Sequence, residues 1–157
     1  MEAQSPYEIL TADSVVTERR LSHRLFLHWL MQAGEAPYAS YEDISPDQLG
    51  EDWDWCFILD VEKSSDFPYF THLGKQLAGY SGVLLTGCSD WSCTVLDKAT
   101  EKVEEMLRDR APLLVQDELT LFNKNRLLFR SILLPLSDDQ RTITHVLGAA
   151  NGKLADA

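Results

Sequence analysis

The stretch RLLFRSILLPL, residues 126–136, constrains this chain more than any other. It is rich in branched aliphatics and sits between two sets of turn-forming residues, NKN and SDDQ, so it reads as one long β-strand. Alternate side chains of a strand face opposite sides. One side would carry Leu127, Phe129, Ser131 and Leu133; the other would carry Leu128, Arg130, Ile132 and Leu134. Both sets are partly apolar, so one face packs the core and the other must also be covered. The helical stretch at 17–33 is the obvious cover.

The remaining segments supply the other elements. In residues 17–33, Leu21, Leu25 and the Trp29/Met31 region give an apolar helix face, and Gly34 is a natural stop. In the acidic connector that follows, SPDQLG predicts a short helix with Ser45 as N-cap and Pro46 at the first helical position. WCFILDVE (55–62) and FPYFTHL (67–73) read as strands. Glycines at 74, 79, 82 and 87 leave room only for short helical turns. Residues 94–110 predict one long helix, with Leu96, Ala99, Val103 and Met106 on a face, a Thr94–Asp97 capping box, and Pro112 beyond its end. Segments 113–122, 126–136 and 142–150 then form a meander. The order suits an α+β domain with an antiparallel sheet.

The 157 residues make one domain with a proper core. The chain holds 14 basic and 25 acidic residues, a net charge of −11. That balance disfavours nucleic acid and anionic membranes as partners. Between Glu35 and Asp66 there are ten acids and one base, Lys63, mixed with Trp53, Trp55 and Phe57. Two readings of this stretch stand. It is a solvated acidic face, or it is a docking surface for a basic partner carried by Glu51, Asp52, Trp53 and Asp54. In the first reading the tryptophans start the first strand and pack inward; in the second they anchor the partner.

No apolar run approaches the roughly 20 residues needed to span a bilayer. The acidic N-terminus lacks a signal-peptide pattern. Cysteines 56, 88 and 93 form no CxxC pair and read as reduced thiols of a cytoplasmic protein. Histidines 23, 28, 72 and 145 are scattered, and His23 and His28 fall on different sides of their helix, so no metal site is expected. The acidic pairs read as turns and exposed helix faces. There is no GxSxG, GxxxxGK[ST] or GxGxxG motif. No catalytic residue is singled out, and the chain is not expected to be an enzyme.

Three strings carry a family resemblance. RSILLPLSDDQRTITHVLGAANG spans 130–152; DFPYFTHLG spans 66–74 and is followed by Leu85-Thr86-Gly87; CFILDVE at 56–62 comes after Asp43-Ile44-Ser45-Pro46. In this order and spacing they resemble the PAS domain, and more closely a PAS subfamily of small stand-alone α-proteobacterial proteins. Two positions depart from it: Ser131 stands where an acidic residue is usual, and Gln140 where a turn glycine is usual. The resemblance implies a five-stranded antiparallel sheet of order 2-1-5-4-3, helices on one face and an N-terminal flanking helix. It divides the chain into a tail (1–16), the flanking helix (17–34), the PAS domain (35–152) and a second tail (153–157).

The resemblance also implies a cavity lined by the inner faces of strands 55–62, 67–73 and 126–136, with the helix at 94–110 as a wall. Its candidate ligand contacts are Phe57, Phe70, His72, Phe129 and Ser131. Each aromatic fits equally well as plain core, and His72 fits as a half-buried, hydrogen-bonded residue. The long helix has no histidine for haem, and LTGCSDWSC around Cys88 does not match the flavin-binding cysteine string. Neither haem nor flavin is expected, and any ligand would be an unidentified small molecule. The implied function is a single-domain sensor or adaptor in bacterial signal transduction. It would act in trans on a signalling protein such as a histidine kinase, as a homodimer through residues 17–33. The alternatives are a small enzyme using the cavity, or a ligand-free interaction module.

Overall fold

The long strand forms over the residues its composition marks out. In a computed structural model, which describes residues 14–62, 69–82, 85, 94–121 and 124–155, it is β4, Arg126–Leu136. The other strands are β1 (Cys56–Asp60), β2 (Tyr69–Leu73), β3 (Leu113–Thr120) and β5 (His145–Leu154). They form one five-stranded sheet in the order β2-β1-β5-β4-β3, and every pairing is antiparallel. This is the strand order set out above. The fold is α+β.

The two faces of the sheet bury two separate clusters. On the inner face, Phe57, Leu59, Leu127, Phe129 and Leu133 pack against Leu77, Tyr80, Val95, Val103 and Met106 from the short helices that join β2 to β3. On the outer face, Ile58, Ile132, Leu134 and Leu147 pack against Leu21, Leu25 and Trp29 of α1, Ser14–Ala33. Trp29 Nε1 also donates to the Pro135 carbonyl at 2.8 Å, fastening the helix to β4. Met31 does not share this face; it is 74% exposed. Gly34 ends α1 with φ 60°, the left-handed region that glycine enters freely, and its N–H bonds Leu30 O at 3.0 Å. The short helix α2 (Pro46–Leu49) has Ser45 as its N-cap, with the side chain accepting from Gln48 N–H.

Three elements differ from expectation. The helix at 94–110 is broken into α3 (Val95–Thr100) and α4 (Val103–Asp109). The Thr94–Asp97 capping box is present, but Thr100 Oγ1 donates back to the carbonyls of Leu96 and Asp97 at 3.4 and 3.2 Å. Such back-bonding competes with the helical ladder, and Glu101 N–H closes a tighter turn on Lys98 O at 3.3 Å. The first strand begins at Cys56, because residues 50–55 form a 3-10 turn that holds both tryptophans.

The last strand begins at His145 rather than 142. Asp139 Oδ1 accepts from the N–H groups of Arg141 and Thr142 at 2.8 and 2.7 Å, which bends these residues away from the ladder. The same strand runs on to Leu154, so Lys153 and Leu154, placed above in a tail, pair with Leu128 and Leu127. Within the turn, Gln140 has φ 64°. The position does ask for a glycine-like backbone. Its side chain offsets the strain by bridging Tyr38: Tyr38 N–H donates to Oε1 at 2.9 Å, and Nε2 donates to Tyr38 O at 3.0 Å.

Candidate functional site

Four of the five expected cavity residues share the inner face. Phe57 and Phe129 are buried in the inner cluster, and Ser131 is 1% exposed beside them. Phe57 lies over Gly148, its partner in the β1–β5 register, where a Cβ would fall inside the ring. Phe70 meets Phe57 edge-on with centroids 5.9 Å apart and is 37% exposed. Phe57 and Phe129 are thus plain core. His72 is a correction: it pairs with Ile58, an outer-face residue. Its ring stacks on Trp53 at 3.8 Å, and its Nε2 lies 3.1 Å from the Trp53 carbonyl. His72 is therefore half-buried and hydrogen-bonded, and does not line the inner face.

The inner cluster holds one polar atom that sequence reasoning missed. Tyr80 is 0% exposed, and its hydroxyl makes no hydrogen bond. Its ring is tilted against Trp55 at 5.3 Å. Burial pushes the phenol pKa up, so the group stays a neutral donor. Buried hydroxyls without partners are uncommon and costly.

The acidic segment divides. Asp52 is held by Arg24 of α1 through two bonds, Nε–Oδ2 at 2.5 Å and Nη2–Oδ1 at 2.6 Å. The hydrogen bond to Asp52 raises the already high Arg24 pKa. Asp52 is therefore a strut between the first helix and the turn before β1, with its carboxylate engaged inside the domain. Asp54 lies 3.8 Å from Lys75, and Gly74 packs so close to the Asp54 carbonyl that a side chain has no room. Trp53 and Trp55 are half-buried and pack against the sheet clusters, so they fit the inward-packing reading. Glu51 is exposed. Buried Cys56 donates to Asp52 O at 3.2 Å, and burial raises its pKa, which leaves an unreactive thiol. Cys88 and Cys93 lie outside the described residues.

His145 stands in a third cluster, at the far end of β5. Its Nδ1 is 2.8 Å from Thr144 Oγ1, its Nε2 is 3.8 Å from Asp60 Oδ2, and its ring stacks on Tyr41 at 4.2 Å. Tyr69 donates to the same Asp60 oxygen at 3.1 Å. Thr144 and Asp60 are both buried, and the group ties β1, β2 and β5 together at their ends.

A cleft of about 540 Å³ opens on the outer face, under α1 and beside β3 and β4. Ser22, His23 and Phe26 line it from the helix; Pro112, Leu114, Arg130 and Ile132 line it from the sheet. Burial along β4 shows why it exists. From Ser131 onward every residue is buried, whereas Leu128 and Arg130 are only half-buried. The helix covers the C-terminal half of β4 and leaves the other half open.

Among the described residues no group of three or more His, Cys, Asp or Glu is placed to hold a metal ion, and no helix is long and apolar enough to cross a membrane. Comparison of the chain with protein-family models, with curated proteins and with solved structures found no match.

Proposed function

We propose that the protein is a single-domain sensor or adaptor of the PAS type, acting in trans on a signalling protein such as a histidine kinase, in the cytoplasm. The observation that carries this reading is the sheet itself. Its 2-1-5-4-3 antiparallel order, with short helices crossing the inner face between β2 and β3, is the arrangement the resemblance implies. The unsatisfied Tyr80 hydroxyl marks where a small ligand would meet that inner face. Leu27, Leu30 and Met31, exposed on the free side of α1, favour a homodimer through residues 17–33.

Native mass spectrometry of freshly purified protein tests ligand and dimer together. The reading predicts a dimer mass with a bound small molecule that is lost on denaturation. A bare monomer at all concentrations contradicts it. A bare dimer would favour the second reading, a ligand-free interaction module, which the filled inner cluster around Phe57 and Phe129 also supports.

A further inference from the structure

We propose that the cleft between α1 and the β3–β4 end of the sheet binds a small amphipathic carboxylate, with Arg130 as the partner of the anion. The site lies on the opposite face of the sheet from the cavity that the sensor reading invokes, and the inference does not need that reading.

The walls set the body of the ligand. Phe26 from the helix and Pro112, Leu114 and Ile132 from the sheet are all apolar. A volume of about 540 Å³ falls in the range that small-molecule sites occupy. Such walls suit an alkyl or aryl tail and offer little to a sugar or a nucleotide.

Arg130 sets the head group. Its Nε is buried and donates no hydrogen bond, and its guanidinium makes no ion pair with a described carboxylate, in a chain that carries 25 acids. Directly across the β4–β5 ladder, Asn151 is 6% exposed and its Oδ1 is also buried without a donor. Paired residues of an antiparallel ladder point to the same face. The Arg130 Nε stays open beside the apolar cleft that Arg130 lines, and such a group is costly to bury unmatched. A carboxylate answers the guanidinium with two parallel N–H···O bonds. The Ser22 hydroxyl, across the cleft, can donate a further one. Lys153, opposite Leu128 on the same face, adds a second positive charge without a described ion pair.

Calorimetric titration of the full chain with decanoate tests this. One molecule should bind per chain, and decanol, with the same tail and no charge, should bind at least about tenfold more weakly. Arg130→Gln should weaken decanoate by about tenfold or more, while the ligand-free melting temperature holds or rises. Leu114→Trp, at a 48% exposed edge position, should narrow the cleft and weaken both ligands without unfolding the protein. Amide shifts on binding should centre on Ser22, Phe26, Leu114 and Arg130. The proposal is overturned if decanoate and decanol bind equally, if Arg130→Gln binds like the wild type, or if decanoate does not bind below its micellar concentration. Shifts centred on Tyr80 would move the ligand to the inner face and overturn it too. So would shifts at Phe26 and Leu114 that track protein concentration without decanoate, since a second copy of the chain would then fill the cleft.

Discussion

The two faces of the sheet are covered by different means. The inner face is closed by several short helices that follow β2 in the chain, and their side chains interlock with β1, β4 and β5 in one continuous cluster. The outer face is covered mainly by one long helix, α1, through Leu21, Leu25, Trp29 and the Arg24–Asp52 strut, with Ala39, Ile44 and Leu49 of the segment that follows it. The inner face packs tightly around Phe57 and Phe129, while the outer face keeps an open cleft beyond the end of the helix contact.

The sharpest way to break this comparison is Leu133→Asp. Leu133 is 1% exposed on the inner face, and an unpaired carboxylate there costs several kcal/mol. Soluble, folded protein should disappear; a soluble variant with an unchanged melting temperature would mean that this face is not the core. Next comes Leu25→Ala on the helix. Leu25 is 0% exposed, and its truncation should cost about 2–5 kcal/mol by urea unfolding. A loss well under about 1 kcal/mol would make α1 an accessory rather than a wall.

A smaller effect follows acidification. The buried His28 ring accepts the Ser45 N–H through Nε2 at 3.2 Å, which requires the neutral form, and burial lowers its pKa from 6.5. The unfolded chain therefore takes up a proton at a pH where the folded chain does not. Stability is fully present above 6.5 and falls as pH drops from there toward the lower folded value. His28→Gln should flatten that step in a series of melting temperatures against pH; an unaltered step would assign it to another group. The smallest effect is expected from Asp52→Asn. Arg24 is 41% exposed, so water screens the pair, and the loss should be about 0.5–1 kcal/mol, shrinking as salt rises. A larger, salt-independent loss would show that the strut bears more of the helix than its exposure suggests.

Much of the fold was legible because its signals are local. The alternation in 126–136, the capping pairs at Ser45 and Thr94, and Gly34 as a stop each rest on a few neighbouring residues. The break after Thr100 was not legible, since a threonine hydroxyl turning back on its own helix leaves the 3-4-3 pattern intact. The site was harder to see. Phe70 and His72, two residues apart on β2, pair with Leu59 and Ile58 on opposite faces because the register shifts between those two residues, and simple alternation does not show this. Asp52 read as one acid among ten; only the fold brings Arg24 to it. Tyr80 and Arg130 stand out through what surrounds them in space, and no spacing along the chain encodes that.

α1 is a structural layer of the domain and closes much of the outer face of the sheet. Hydrogen exchange on the full chain, read by mass spectrometry, tests it most directly. A lone helix of this length is marginal in water. Amides of residues 24–33 should exchange as slowly as those of β4 and open together with it. Exchange of 24–33 at the rate of an unprotected chain, beside a sheet that stays protected, would contradict it.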